Sequence, residues 1–394
     1  MSIVLSKNVD GVLYLSPCGR IDSSNAAEAE NDVKDSLAAY PHESVVMDLE
    51  QLEYISSAGL RVILRLRKSE PSLKMINASP DVYDVFDMTG FTEMIPITKA
   101  YRRISVEGCE QIGKGANGVV YRIDRDTIVK VYRSADALPD IQRERELARR
   151  AFVLGIPTAI PYDVVKVGDS YGSVFELLES RSLARQIVAD PSKLDSCIEV
   201  YVDLMKKIHS TVVDADEIPD MREVAIDWAE FLRDHLPQDA AERLVAIVKA
   251  VPQDDHLLHG DYHIKNVMLQ DGEALLIDMD TLCHGHPIFE LASAYNAYQG
   301  FYVLNKPYCA EFLGGIDYDM ASYIWKRSLA LYLDTDDAQR LSEVEDKAKL
   351  MGYTRLLRRL IRRNGFDNEQ SRREIEFYKK EIIRLLDCVD TLVF

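Results

Sequence analysis

The segment HGDYHIKNVM (259–268) combines side chains that can accept a proton and hold a metal ion. Asp261 supplies a carboxylate, and Asn266 supplies an amide five positions later. The turn-like QDGE and the apolar run ALLID follow, and this run ends at Asp278. If QDGE forms a hairpin turn, the chain brings Asp278 back toward Asn266. A carboxylate and an amide oxygen at one place suit Mg²⁺, and Asp261 is then positioned to act on a nearby hydroxyl.

The same segment also allows a purely structural interpretation, in which Asp261 and Asn266 cap turns of a polar loop. Asp280 could support the metal site or cap a helix. His263 and His284 are interpreted as loop histidines and not as metal ligands, because the sequence has no His/Cys cluster near them.

Upstream, GKGANGVVY places Gly113, Gly115 and Gly118 in a G-x-G-x-x-G-x-V frame. Glycines let backbone N–H groups approach phosphate oxygens closely. A strand pattern and not a helix pattern follows, so the dinucleotide-binding interpretation is disfavoured. The frame therefore predicts a phosphate-covering loop, with an ordinary hairpin turn as the alternative.

Lys130 stands inside the apolar strand TIVKVY, where a charge is costly unless an ionic group meets it. Its position shortly after the glycine frame predicts a role in binding the α- and β-phosphates of a nucleotide. A carboxylate on the next predicted helix, QRERELARR, would orient it. We expect Glu146 to be this partner, and Glu144 is the competing choice.

The pattern of elements predicts three regions along the chain. Residues 1–100 alternate strands and amphipathic helices in βαβαβα order, which indicates a small α/β sandwich. Residues 101–180 contain β-branched strands typical of an antiparallel sheet. Residues 181–394 are mainly helical and carry the segment around Asp261. The fold class is therefore an α/β sandwich followed by an α+β region.

Residues 104–394 resemble the aminoglycoside phosphotransferase/choline kinase family, a branch of the protein-kinase-like fold. HGDYHIKN, LLIDMD and GHPIFELA carry the resemblance, together with GKGANGVVY and IVKVY. It implies a bilobal domain with ATP between the lobes and transfer of the γ-phosphate to a hydroxyl. It also implies Asp261 as catalytic residue, Asn266 and Asp278 as Mg²⁺ ligands and Lys130 as phosphate ligand. Glu290 replaces the usual aspartate of the family.

Residues 1–100 resemble the STAS (anti-sigma-factor antagonist) domain through GRIDSSNA, EYISSAGLRVIL and SPDVYDVFDMTGFTEMIPI. In that family a serine at the start of a helix is a phosphorylation switch, and Ser57 occupies this position. A phosphate there would meet free backbone N–H groups at the helix N-terminus. The alternative is that Ser56 or Ser57 simply caps the helix. Ser56 also stands where an aspartate often precedes the switch serine.

Composition excludes several classes of protein. A net charge of −18 argues against a general nucleic-acid binder. The six cysteines are scattered without a C-x-x-C pair, which argues against a disulfide framework and a zinc site. No signal peptide or membrane span is evident, so we expect a soluble cytoplasmic protein with no membrane partner. The run TRLLRRLIRRNG predicts a solvated helix face or a patch for an acidic partner.

Together these observations predict an ATP- and Mg²⁺-dependent phosphotransferase that acts on a small hydroxylated metabolite, with the STAS domain regulating or docking it. Two alternatives remain. The chain could be a signalling kinase that phosphorylates a STAS-domain serine, either Ser57 in cis or a partner in trans. It could also be a scaffold that senses nucleotide without phosphoryl transfer. Four aromatic residues are candidates for either an acceptor pocket or core packing: Tyr295, Tyr298, Phe301 and Tyr302.

Overall fold

The computed structural model describes residues 3–114, 118–134, 137–178, 180–363 and 365–394. Gly115, part of the predicted phosphate-covering loop, lies outside the described residues. The chain divides into two compact units, Met1–Ile104 and Ser105–Phe394. Each unit has its own cluster of buried apolar side chains, and the two clusters have no residue in common.

The first unit is built from alternating strands and helices. Its strands are β1 (Val4–Val9), β2 (Val12–Pro17), β3 (Gly19–Ile21), β4 (Ser44–Asp48), β5 (Leu52–Ile55), β6 (Lys74–Ala78), β7 (Ile97–Lys99) and β8 (Arg102–Ile104). Its helices are α1 (Ala26–Ala39), α2 (Ser57–Ser69), α3 (Pro80–Met88) and α4 (Phe91–Met94). The main sheet has the order β1-β2-β4-β6-β7, in which only the β1–β2 pair is antiparallel.

Local sequence signals explain several element boundaries in this unit. The Asp10–Gly11 turn joins β1 to β2 with both residues at positive φ, the conformation that a two-residue hairpin favours. Ser79 caps α3 by accepting a hydrogen bond from the Val82 N–H, and Pro80 occupies the first turn. The alternating order of strands and helices confirms the predicted α/β sandwich.

The second unit begins with strands and continues mainly with helices. Its strands are β9 (Glu110–Lys114), β10 (Gly118–Arg122), β11 (Thr127–Tyr132), β12 (Pro161–Val167), β13 (Ser170–Glu176), β14 (Arg181–Ser182), β15 (Leu257–Leu258), β16 (Val267–Gln270), β17 (Glu273–Leu276) and β18 (Cys283–His284). Its helices are α5 (Leu138–Val153), α6 (Leu183–Ala189), α7 (Leu194–His209), α8 (Met221–Phe231), α9 (Gln238–Lys249), α10 (Ile288–Tyr298), α11 (Tyr308–Phe312), α12 (Tyr318–Leu333), α13 (Ala338–Arg362) and α14 (Glu369–Leu386).

Within this unit, neighbouring strands run antiparallel in the order β12-β13-β11-β10-β9, and α5 connects β11 to β12. The helical part surrounds α10, in which every residue is buried, as expected for a helix that is apolar on all sides. The β16–β17 hairpin turns through Asp271 and Gly272, both at positive φ, which confirms the predicted QDGE turn. This hairpin brings the end of β17 back to the start of β16.

None of the helices in the described ranges has the length and apolar character needed to cross a membrane.

The separate core of the first unit predicts that residues 1–104 fold as an isolated fragment. Leu15 on β2 is fully buried, whereas Leu5 on β1 is 54 % exposed. We expect Leu15→Ala to lower the free energy of unfolding of this fragment by about 2–5 kcal/mol, because it leaves a cavity. Leu5→Ala, the matched control, should change it by less than about 0.5 kcal/mol. Urea unfolding followed by circular dichroism measures both; equal losses would contradict the assignment of this core.

Candidate active site

Lys130 on β11 lies between two carboxylates from distant parts of the chain. Its Nζ donates to Glu144 Oε1 on α5 at 2.9 Å and to Asp278 Oδ1 at 2.6 Å. The Glu144 side chain is buried and that of Asp278 is 44 % exposed. Burial by itself would lower the pKa of Lys130, but the two carboxylates outweigh it and hold that pKa above its ordinary value. The sequence-predicted lysine therefore has its ionic partners.

The prediction of Glu146 as the partner of Lys130 is wrong, and Glu144 holds that position. Glu144 shares the buried face of α5 with Ile141 and Ala148. Glu146 is two residues farther on, about 200° around the helix axis. It pairs instead with Arg149 at 3.3 Å and Arg150 at 3.1 Å, on the more exposed side.

The segment around Asp261 forms a loop that backbone hydrogen bonds tie to the end of β17. The Asn266 side-chain amide donates to the Asp261 carbonyl at 3.0 Å, so the two predicted residues hold one turn together. The Ile277 N–H donates to the Asn266 carbonyl at 3.0 Å. This hydrogen bond holds the residue before Asp278 next to the Asn266 backbone. Asn266 is buried, whereas the Asp261 side chain is 42 % exposed and lies 3.7 Å from His263 Nε2.

Asp278 adopts a left-handed backbone conformation, with φ of 66°. Such a φ is uncommon outside glycine and marks a position where the surrounding structure fixes the backbone. Burial would raise the pKa of Asp278, but Lys130 more than compensates and lowers it, so the carboxylate is ionised. Two residues later, burial and the charge of Asp278 raise the pKa of Asp280 to about 7.

Glu290, the residue that departs from the family pattern, stabilises the loop that carries Asp261. Its carboxylate accepts the backbone N–H groups of His259 at 2.5 Å and Gly260 at 3.0 Å. His209 Nε2 lies 3.8 Å from the same carboxylate. Burial disfavours the charged form of Glu290, yet His209, His259 and the Gly260 N–H keep its pKa below the ordinary value. Glu290 is thus an ionised, buried carboxylate that fixes the backbone just before Asp261.

Gly260 itself is required by this arrangement. It has φ of +81°, and a Cβ there would lie 2.3 Å from the Thr281 carbonyl oxygen. The Thr281 hydroxyl donates to the neighbouring His259 carbonyl at 2.8 Å, so the loop packs directly on the chain after Asp278. A side chain at this position would separate the two segments that carry Asp261 and Asp278.

The two described glycines of the G-x-G-x-x-G frame differ in their surroundings. Gly118 lies in β10, where a Cβ would come within 2.3 Å of the Val131 carbonyl oxygen. Gly113 lies in β9, and a Cβ there would make only ordinary contact with Val120. Close packing of β10 on β11 is therefore sufficient reason for glycine at position 118. The phosphate-binding role of the frame stays a prediction.

Sequence reasoning missed two basic residues beside Asp261. Lys265 Nζ donates to the Phe312 carbonyl at 2.6 Å; burial lowers the pKa of Lys265, against the attraction of Asp261 and Asp278. Arg355 on α13 donates from Nη1 to the Gly260 carbonyl at 3.0 Å. Both residues lie in segments that stand out in the sequence: Lys265 in HGDYHIKN, and Arg355 at the start of the arginine-rich run. The sequence did not predict that they lie beside Asp261.

Three of the four candidate aromatic residues belong to the core, and the fourth lies closer to the surface. Tyr295, Tyr298 and Tyr302 are buried, and the Tyr298 hydroxyl accepts the Ile264 N–H at 3.0 Å. Phe301 is partly exposed, and its ring centre lies 5.6 Å from that of Phe312, with the two rings tilted relative to each other. The tyrosines therefore support the loop as core residues, and Phe301 is the member that faces outward.

Comparison with known proteins identifies the family. A model of the phosphotransferase enzyme family matches residues 108–318, more than half of the chain. The chain belongs to this family. A model of the STAS domain matches residues 4–104, so the first unit of this phosphotransferase-family protein is a STAS domain. Both resemblances read from the sequence are confirmed, as is the fold class of a STAS-type sandwich followed by a kinase-like phosphotransferase fold.

Individual relatives resemble one unit each. BtrV of Bordetella bronchiseptica, named as a candidate anti-sigma factor antagonist, is 36 % identical over 107 residues, which span 25 % of this chain and 88 % of BtrV. The structure of aminoglycoside phosphotransferase APH(4)-Ia is 14 % identical with a TM-score of 0.47, covering 71 % of this chain and 94 % of that one. A choline/ethanolamine kinase family protein of Mesorhizobium loti is 12 % identical with a TM-score of 0.46, covering 71 % and 88 %.

The Lys130–Glu144 pair predicts a difference between two adjacent glutamates. We expect Glu144→Gln to lower the free energy of unfolding by about 1–3 kcal/mol, because Lys130 loses a buried charged partner. Glu146→Gln removes the same charge from the more exposed side of α5 and should change it by less than about 0.5 kcal/mol. Urea denaturation of the full chain measures both variants. A larger loss for Glu146→Gln would indicate that Glu146, and not Glu144, is the partner of Lys130.

The lowered pKa of Glu290 predicts a specific dependence of stability on pH. Its contribution is present above its ordinary pKa of 4.5 and is lost as pH falls through the lower value of the folded state. As pH falls below about 5 and through the folded-state value, the wild-type free energy of unfolding should fall by about 1.4 kcal/mol more than that of Glu290→Gln for each unit of lowered pKa. Denaturant titrations at several pH values measure this; parallel pH profiles would show that Glu290 does not titrate in this way.

Proposed function

We propose that this protein is an ATP- and Mg²⁺-dependent phosphotransferase that moves the γ-phosphate of ATP to a hydroxyl group of a small molecule. The observation that carries the proposal is the 2.6 Å contact between Lys130 and Asp278, which are 148 positions apart. A phosphate-binding lysine and a metal-binding carboxylate must lie close together if both are to hold one nucleotide.

The residues present suit a Mg²⁺-bound nucleotide. The Asn266 amide oxygen and the Asp278 carboxylate are hard oxygen ligands of the kind Mg²⁺ takes together with phosphate oxygens. In the described ranges no group of three His, Cys, Asp or Glu side chains could hold a metal ion alone. This agrees with a metal that arrives with its nucleotide. When bound, Mg²⁺-ATP supplies the transferable phosphoryl group and the metal charge that stabilises its transfer.

Each remaining residue has a role that follows from its position. Glu144 orients the Lys130 ammonium toward the phosphates, since the pair is buried and fixed. Asp261 is exposed enough to reach an acceptor, and its carboxylate takes the hydroxyl proton. Burial lowers the pKa of the neighbouring His263, which favours the neutral form of this ring beside Asp261. Glu290 holds the loop that presents Asp261.

A small hydroxylated acceptor agrees with the membership of the phosphotransferase family. The STAS domain then serves as a regulatory or docking unit, as the likeness to BtrV supports. The protein compared in one of the solved structures, APH(4)-Ia, forms a ternary complex with ADP and hygromycin B. We extend nucleotide binding, but not that antibiotic, to this chain.

A signalling kinase that phosphorylates Ser57 is the second candidate. Ser56 caps α2 by accepting the Ala58 N–H at 3.2 Å, so the capping role does not need Ser57. Ser57 is the first residue of α2 and is exposed. A hydroxyl at this place is accessible to a kinase, and a phosphate there would be favoured by the helix dipole. The third candidate, a scaffold without transfer, requires a site that binds ATP but does not react.

The test is incubation of the purified full chain with γ-labelled ATP and Mg²⁺, alone and with a panel of small hydroxylated compounds. Asp261→Asn should reduce transfer by about 10²–10⁴-fold, because the base is lost while the loop keeps its shape. Asp271→Asn is the matched control, since this exposed aspartate at the β16–β17 turn tolerates asparagine in the same backbone conformation. Equal rates for the two variants would remove Asp261 from the mechanism.

The same experiment separates the three candidates. Label that moves to a small molecule supports the proposed function. Label that stays on the chain and disappears in Ser57→Ala supports the signalling kinase. ATP binding without any transfer supports the scaffold.

A further inference from the structure

The C-terminal part of α13 presents a row of arginines toward the loop that carries Asp261. Arg355, Arg359 and Arg363 are spaced four residues apart, so they follow one side of the helix and its cap. Arg355 fixes the direction of this row, because its Nη1 donates to the carbonyl of Gly260, the residue before Asp261. The row therefore begins at the catalytic loop and continues outward from it.

Aromatic rings connect the row to the other side of the loop. The Arg359 guanidinium lies 5.4 Å from the ring centre of Phe301, and this ring lies 5.6 Å from that of Phe312. Lys265 Nζ lies 5.1 Å from the Phe312 ring, and the His263 ring lies 5.8 Å from it. His263 also lies 3.7 Å from the Asp261 carboxylate, so it connects these rings and their basic groups to Asp261.

Arg359 and Arg363 have no carboxylate partner among the residues described. Arg358, one position away, pairs with Asp227 at 2.6 Å on a different side of the helix. Partial burial and the charges of Arg363 and Arg355 lower the pKa of Arg359, while Asp261 opposes this change. These neighbouring positive charges repel one another, and an anion bound among them would relieve this repulsion.

We propose that the phosphoryl acceptor is a small anionic molecule, whose phosphate or carboxylate group binds Arg359 and Arg363 while its hydroxyl reaches Asp261. This inference rests on the proposed function and defines its substrate class. Guanidinium groups bind phosphate and carboxylate through two parallel hydrogen bonds, which suits a compact anion. A cationic or neutral acceptor would leave the arginines uncompensated.

A small molecule fits this surface better than an acidic protein segment. Arg355 and Lys265 are only partly exposed and lie at the inner end of the row, next to the loop. A compact acceptor can lie on Phe301 and Phe312 and use both the inner and the outer basic groups. A protein surface would reach mainly the exposed side chains of Arg359 and Arg363.

The test measures binding of glycerol 3-phosphate, glycerol and choline to the full chain by calorimetry, with Mg²⁺ and a non-hydrolysable ATP analogue present. We expect glycerol 3-phosphate to bind saturably and the other two probes to bind more weakly. Arg359→Gln with Arg363→Gln should weaken glycerol 3-phosphate by about ten-fold for each arginine. Arg340→Gln with Arg373→Gln removes the same charge from α13 and α14 outside the row and should leave the affinity unchanged.

Three results would overturn the inference. These are choline or glycerol binding as tightly as glycerol 3-phosphate, an unchanged affinity in the Arg359/Arg363 double variant, or binding of an acidic serine-containing peptide where glycerol 3-phosphate does not bind. A separate titration with the ATP analogue alone distinguishes these results from failure of the proposed function. If the analogue does not bind to the wild-type chain, the proposed function falls, and the acceptor role of the arginines falls with it.

Discussion

The site depends on the compensation of one buried charge. Lys130 is carried by an apolar strand and would be costly there without ionic partners, so Glu144 and Asp278 must both reach it. These two carboxylates come from α5 and from the end of the β16–β17 hairpin. The contacts of these carboxylates with Lys130 therefore connect β11, α5 and the segment that follows β17. A charged ligand that binds beside Lys130 and Asp278 meets ionic groups that are already in position.

The loop before Asp261 is also fixed by hydrogen bonds and close packing. Glu290 accepts two backbone N–H groups, and Gly260 allows an approach to Thr281 that a side chain would prevent. The longer side chain of Glu290, compared with the usual aspartate, still reaches both donors. The substitution therefore preserves the support of the loop. Together with the left-handed backbone at Asp278, these contacts restrict the backbone positions of Asp261 and Asp278.

Charge is distributed unevenly around Asp261. Asp278 and Asp280 lie on the side where Mg²⁺ and phosphates would bind, and burial together with the charge of Asp278 raises the pKa of Asp280. Lys265 lies in the loop itself, and Arg355 on α13 donates to the Gly260 carbonyl of that loop. In the proposed function the metal binds at Asp278 and the anionic group of the acceptor binds at the α13 arginines. The STAS domain adds an exposed helix-start serine to the same chain.

The sequence alone determined the features that depend on short stretches of chain. The Asp-Gly turn of the β16–β17 hairpin and the order of strands and helices follow from local backbone preferences, so they could be predicted. The spacing of Asp261, Asn266 and Asp278 could be interpreted for the same reason, since one loop and one hairpin connect them.

Tertiary structure decided which side of each helix meets the site. Periodicity shows that Glu144 and Glu146 lie on different faces of α5, but only packing against β11 shows that Glu144 is the inner one. Likewise, the arginine run could be recognised from the sequence, whereas its position beside Gly260 depends on how α13 packs against α10. The periodicity of a helix or strand specifies which of its side chains share a face. Contacts between distant elements determine which of these faces meets the site.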